Sequence, residues 1–194
     1  TLMRHKTAAG LIVLEIALSC AIICNALFLI GARLTQIHEA SGIAENELVR
    51  VQLTGIARGE NDEAQTRSDL ALLRGLPGVK NATVVNQVPF VNSSWNSGVR
   101  MTKDQKQQTM NATVYMAEDA FVDTLGLKLV AGRDFNADEY ADYSVINAPG
   151  YDGSIPAAII TRSMANKLFP GENAVGKSFY SWGDNPIRTV GSVE

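Results

Sequence analysis

The longest unbroken apolar run is Ala8 to Arg33, AAGLIVLEIALSCAIICNALFLIGAR, in which Glu15 is the only ionisable carboxylate or amine between Lys6 and Arg33 and no proline intervenes. At ~1.5 Å rise per residue, a helix of this length reaches past the ~30 Å hydrocarbon core of a bilayer. A buried helix of a soluble domain would carry a polar stripe, and a signal peptide would have an apolar core of only ~7 to 15 residues. The pattern therefore predicts a transmembrane helix over 8–33, with 1–7 as its flank and 34–194 beyond it. Arg4 and Lys6 precede the run and only Arg33 closes it, a charge bias that favours a cytoplasmic N-terminus.

Beyond the run the pattern shortens. Leu34 to Ile43 can continue the helix as a stalk until Ser41 and Gly42 interrupt it. Glu47 to Thr54 alternates Leu48, Val49, Val51 and Leu53 with polar residues, as a strand does, and Asn61 to Leu73 reads as an amphipathic helix stopped by Gly75 and Pro77-Gly78. Val79 to Val88 and Thr109 to Met116 are β-rich. Between them lies a polar loop around Asn92 to Gly98, with Val99 to Thr102 a short strand. Glu118 to Leu125 predicts a short helix stopped at Gly126, and Leu127 to Val130 a strand leading into Gly132 and Arg133. Asn136 to Gly153, rich in Asp, Tyr, Asn, Pro and Gly, reads as a long exposed loop. Ala157 to Ile160 has the length of a buried strand, and Thr161 or Ser163 caps a helix over Met164 to Phe169 that Pro170-Gly171 ends. Lys177 to Trp182 and Arg188 to Val193 pair around the turn Gly183 to Pro186. The class these elements imply is α+β: one N-terminal transmembrane helix, then a mixed α+β domain. A chain that starts on Thr1 and stops at Glu194, inside a strand-like run, reads as a fragment whose domain is incomplete at its C-terminus.

Composition narrows the function. Of 194 residues 46% are hydrophobic, enough for one domain with a core. Lys plus Arg number 17 against 20 Asp plus Glu, a net charge of -3 with no basic block, so nucleic acid is not an expected partner. Cys20 and Cys24 share one face of the apolar helix and cannot staple the rest. His5 and His38 flank that helix, too far apart for a shared metal site, so no metal and no cofactor are assigned. Asp134, Asp138, Glu139 and Asp142 form a loose acidic cluster without the spacing of a calcium loop, better read as solvated. No nucleophile and base stand in a recognisable pattern, so an enzyme is not expected.

Three motifs carry other readings. Gly171 to Ser178, GENAVGKS, matches the phosphate-loop pattern letter for letter, but that chemistry needs a strand before the loop and a helix after it, and here the predicted order is the reverse. The sequons at Asn81, Asn92 and Asn111 read as polar edges and loops. Glu15 lies where a carboxylate is costly in lipid. At about 100° per residue, Ser19 and Ala26 share its side of the helix, giving a small, polar face suited to a neighbouring helix.

The run Ala157 to Phe179, AAIITRSMANKLFPGENAVGKSF, resembles the MacB-like periplasmic core domain of FtsX-like permeases of ABC transporters, where an apolar strand, a helix with Ala and a basic residue, Phe-Pro-Gly-Glu and a Gly-Lys pair occur in this order. The matching positions are Phe169, Pro170, Gly171, Glu172, Gly176 and Lys177. Thr161-Arg162 stands where Asn-Glu is commoner, and Asn173-Ala174-Val175 where a Pro-Leu or Pro-Ile pair is frequent. Glu118 to Phe135 resembles a second block of the family through Gly126, Gly132, Arg133 and Phe135. The helix with LIVLEIALS is similar to the family's first membrane segment, where Gln is more usual than Glu15. The resemblance implies a permease subunit in the bacterial inner membrane, with a periplasmic domain over 34–194 and further membrane helices downstream. The partners it implies are a cytoplasmic ABC ATPase, a second permease copy or paralogue, a periplasmic adaptor and membrane lipid. An anchored sensor or binding domain, or an anchored envelope enzyme, is the competing class. A sensor needs one further membrane helix after the domain, and a permease needs several.

Overall fold

The computed structural model describes residues 6–38, 41–53, 62–89, 94–146, 148–152 and 154–194. It divides into two compact units, Thr1–Ser41 and Gly42–Glu194. The first is helix α1, Lys6–His38. With 33 residues and no proline it is a continuous rod of ~50 Å, and its stretch Thr7–Thr35 is long and apolar enough to cross a membrane. None of its residues along that stretch is buried. The helix runs five residues past Arg33, where Thr35 Oγ1 donates back to the Gly31 carbonyl at 3.1 Å.

The second unit contains α2 (Asp62–Arg74), the hairpin β1 (Asn96–Val99) and β2 (Met110–Thr113), α3 (Phe121–Thr124), β3 (Leu129–Gly132), α4 (Tyr143–Ile146), β4 (Ala157–Thr161), α5 (Arg162–Leu168), β5 (Ser178–Phe179) and β6 (Ile187–Val193). The main sheet has the order β3-β6-β4, with β5 also on β6. Strand β4 runs parallel to β6 along one edge, whereas β5 pairs antiparallel with its start and β3 with its end. A strand paired on both edges satisfies its amides and carbonyls without water and can be covered on both faces, and β6 is buried everywhere except Arg188.

The parallel β4–β6 pair needs a crossover, which α5 begins. Thr161 caps it, its hydroxyl accepting from the Met164 amide at 3.2 Å. Helix α5 buries Ala165 and Leu168 against a core of Ile160, Phe169, Ala174, Phe179, Ile187 and, from the hairpin, Val99. Arg100 and Tyr180 exchange backbone hydrogen bonds at 2.8 Å, which ties the hairpin to the segment after β5.

Several expectations are corrected. Residues 48–53 form no strand: a 3₁₀ turn at Glu45–Glu47 precedes them, and no described segment pairs with them. Val79 to Val88 is not a strand either, and its one bridge is Val85 with Ala117. There the side chain of buried Gln87 replaces a ladder, accepting from the Trp95 amide at 2.8 Å and donating to the Val114 carbonyl at 2.8 Å. The expected loop at Asn92 to Gly98 supplies β1 instead, with Ser97 and Gly98 opposite Ala112 and Asn111. The long loop from Asn136 contains a 3₁₀ turn and α4. Helix α2 is described from Asp62; Asn61, the expected start of the helix, the sequon Asn92, His5 and Thr54 lie outside the described residues.

Gly132 allows a separable test. It has φ +74°, and a Cβ there would overlap the Val190 carbonyl oxygen, whereas Gly171 has the same φ with open space around it. Gly171→Ala should therefore cost about 1–2 kcal/mol, the left-handed backbone penalty alone, and Gly132→Ala clearly more. Thermal unfolding of the isolated second unit measures both; equal losses would mean that the close approach to β6 is unimportant.

Candidate functional site

The residues that carry the family resemblance converge on the middle of β6. Arg133, just after β3, donates its amide to the Val190 carbonyl at 3.1 Å. Next to it Gly176 donates to the Thr189 carbonyl at 2.8 Å, and the Lys177 carbonyl accepts from the Thr189 amide at 2.8 Å. The two blocks, far apart in sequence, thus fill adjacent stretches of one edge of β6 between β5 and β3. A Cβ at Gly132 would also lie 3.0 Å from Val175 Cγ2, so the blocks touch each other there.

Each signature residue has a local reason. Phe169 ends α5 with its amide on the Ala165 carbonyl at 2.8 Å, and its ring is in the core. Pro170 cannot continue the helix, Gly171 turns with φ +74°, and Glu172 returns its amide to the Phe169 carbonyl at 3.1 Å. Lys177 lies over the Phe169 ring, 5.2 Å from its centroid, and forms an ion pair with Glu172. Gly126 takes the left-handed position after α3, where Leu127 donates to the Val122 carbonyl at 2.9 Å. A Cβ at Gly126 would stand 2.9 Å from Ala44 Cβ, beside the Ala44 amide that bonds Leu125. Phe135 packs edge-to-face on Tyr140 with centroids 5.7 Å apart.

The phosphate-loop lookalike is preceded by helix α5 and followed by strand β5. Its Lys177 amine is engaged with Glu172 and Phe169, and the Gly176 amide is bonded to β6. Among the described residues the motif runs into β5 and not into a helix N-terminus that could receive a phosphate.

The acidic cluster departs furthest from expectation. Glu139 is not a solvated carboxylate: its side chain is 7% exposed and accepts from the two terminal guanidinium nitrogens of Arg133 at 2.7 Å and from Arg188 at 3.2 Å. It closes a capping box with Asn136, whose amide it accepts at 2.8 Å. These donors, the Arg133 hydrogen bonds foremost, hold its pKa down to about 2. Asp142, the other perturbed member, is lowered chiefly by the Ser144 hydroxyl and amide. Among the described residues no group of acidic, His or Cys side chains is arranged to hold a metal.

On α1, Glu15, Ser19 and Ala26 fall within about 40° of one another by helical geometry. The opposite side carries a second small stripe that a search for polar residues does not reveal: Gly10, Ala17, Cys24 and Gly31 recur every seven residues, the period of close helix packing. The spacing becomes visible once cysteine is counted among the small residues.

The model of the MacB-like periplasmic core domain matches residues 10–193. The macrolide export ATP-binding/permease protein MacB of Pasteurella multocida is 28% identical over 198 residues, covering all of this chain and 27% of that protein; the chain spans about a quarter of its relative's length. Among solved structures, the periplasmic region of MacB from Actinobacillus actinomycetemcomitans is 22% identical with a TM-score of 0.44, over 66% of this chain and 49% of that one. The extracellular domain of the ABC-type transporter YknZ from Gram-positive bacteria is 20% identical with a TM-score of 0.43, over 66% and 56%.

Two outcomes are expected here. Because Glu139 has a folded-state pKa of about 2 against an ordinary 4.5, its contribution is complete above pH 4.5 and is lost as pH falls toward 2. Glu139→Gln should lower stability at pH 7 and weaken the acid dependence of unfolding between pH 4.5 and 2; an unchanged pH profile would remove Glu139 as its source. Lys177→Ala should cost only about 0.5–1 kcal/mol, as an exposed cation–π and ion-pair contact does, and the second unit should not bind ATP before or after the change. Specific binding abolished by the substitution would overturn the structural reading.

Proposed function

The chain belongs to the MacB-like periplasmic core domain family, and on that premise we propose that it is the anchor helix and periplasmic domain of an ABC transporter permease, moved by ATP hydrolysis in a cytoplasmic ATPase. The observation that carries this reading is the family match, which runs from within α1 through β6 without a break. It joins a helix able to cross a membrane to the domain behind it.

In this reading α1 crosses the bacterial inner membrane from a cytoplasmic N-terminus, residues 1–7 form its flank, and 34–194 is periplasmic. The ATPase supplies the chemistry and the permease supplies displacement, in the direction of export or efflux. A helix of 33 residues without proline transmits axial or tilting motion with little loss, because its hydrogen bonds are all internal. Partners come from the same logic: the ATPase inside, a second permease copy or paralogue beside α1, an adaptor in the periplasm, and lipid around the helix. Glu15 in lipid favours a protein-facing or interfacial environment, which a packed helix provides.

Orientation and coupling can be checked separately. A reporter that works only in the periplasm, fused after Glu194, should be active, and one that works only in the cytoplasm should not; the reverse result would reject the reading. In the full-length transporter, Ala26→Leu should reduce the transport phenotype by about 10-fold or more at matched expression, as a disrupted close contact between helices does. Ile16→Phe, roughly 80–90° from either small stripe by helical geometry, should be tolerated. Equal tolerance at both positions would leave α1 a tether.

A further inference from the structure

We propose that the turn Gly42–Glu47, which follows α1, is the clip through which displacement of α1 enters the second unit, and that Gly126 is the positioning residue that seats this clip. The proposal deepens the permease reading and rests on it for the source of the displacement.

The clip is fixed to a part of the fold far from it in sequence. Gly42 turns with φ +77°, and the amides of Glu45 and Glu47 return to the Ile43 and Ala44 carbonyls at 2.9 Å, which makes these six residues a compact turn. The Ala44 amide then reaches across to the Leu125 carbonyl at 2.9 Å. Its side chain lies where Gly126 has none: a Cβ at Gly126 would stand 2.9 Å from Ala44 Cβ and 3.6 Å from the Ala44 amide nitrogen. A hydrogen bond and a close packing contact at one point leave the clip no room to slide on the turn after α3. The exposed Glu47–Lys80 pair at 3.1 Å, by contrast, contributes too little to carry a load.

From that turn the route into the sheet is short and without slack. Val122 and Leu125 are buried. Leu125 donates to the Phe121 carbonyl at 3.0 Å, Gly126 to Asp123 at 3.1 Å and Leu127 to Val122 at 2.9 Å, and the Lys128 carbonyl accepts from the Glu194 amide at 3.0 Å. Strand β3 starts at the next residue, Leu129, opposite Val193 of β6. Each residue from Leu125 to Leu129 therefore has a backbone partner. A displacement delivered at Leu125 reaches the β3–β6 edge through hydrogen bonds and packed side chains instead of being absorbed by a loop.

A side chain at Gly126 would have two effects. It would strain a left-handed backbone at φ +69°, and it would push Ala44 off the turn. Gly171, at φ +74° with open space around it, would suffer only the first.

The test uses the full-length transporter with its ATPase and reads transport per ATP hydrolysed. Loss of folded molecules lowers both quantities together, so the ratio reports coupling. Gly126→Ala should lower the ratio by about 10-fold, within the range over which residues on a coupling route act, while Gly171→Ala should leave it unchanged. Removing the opposing atom should repair the defect: Gly126→Ala combined with Ala44→Gly should come within about 2-fold of Ala44→Gly alone. Inserting Gly-Gly-Ser between Ser41 and Gly42 leaves residues 42–194 intact and should lower the ratio as Gly126→Ala does, which keeps the test decisive if Gly126→Ala fails to fold. The proposal is overturned if Gly126→Ala or the insertion couples like the parent, if Gly171→Ala loses as much as Gly126→Ala, or if Ala44→Gly does not repair the defect. Co-purification of the ATPase with the parent tests the permease reading independently of each of these outcomes.

Discussion

The second unit depends on one strand being paired along both edges at once. Strand β6 has β4 on one side, and on the other β5, the Gly176–Lys177 turn, Arg133 and β3 in succession. Buried amides and carbonyls left without partners cost more than most side-chain contacts return, so each of these segments must arrive at the correct position. That requirement accounts for residues that look chemical and are not. Gly132 lets β3 approach β6, Gly171 and Gly176 shape the return from α5, and Lys177 covers the Phe169 ring.

The ion-pair network belongs to the same constraint. Arg188 is the one outward residue of β6, and Glu139 draws it together with Arg133, so the segment after β3 is fastened to β6, the neighbour of the strand it leaves. A covered carboxylate is tolerated because two guanidinium groups and an amide satisfy it. The network ties the segment after β3, through Glu139, to the outward side chain of β6.

Much of this is legible in the sequence, in proportion to how local its cause is. The apolar run, the Thr161 cap, the Gly126 stop and the β5–β6 hairpin are set by neighbouring residues and appear as expected in kind. The phosphate-loop pattern can be set aside because its flanks predict the wrong elements. Where the cause is remote, sequence misleads. Residues 48–53 have a strand's alternation, but a strand exists only with a partner, and Val79 to Val88 exchanges its ladder for Gln87, whose side chain sequence periodicity cannot place. Glu139 looks solvated in sequence because acidic spacing shows neither the Arg133 fork six positions before it nor Arg188, 49 positions away. The heptad stripe on α1 is obscured for a different reason, since cysteine counts as small in a membrane helix and as apolar elsewhere.

The most direct test is native-state hydrogen exchange on the second unit, with and without ATP. If β6 is the strand on which everything is assembled, the amides of Thr189, Ser192 and Val193 should exchange only through global unfolding. ATP should leave their exchange unchanged. Exchange of the β6 amides through local opening far below the global free energy, or protection of Gly171 to Ser178 by ATP, would contradict it.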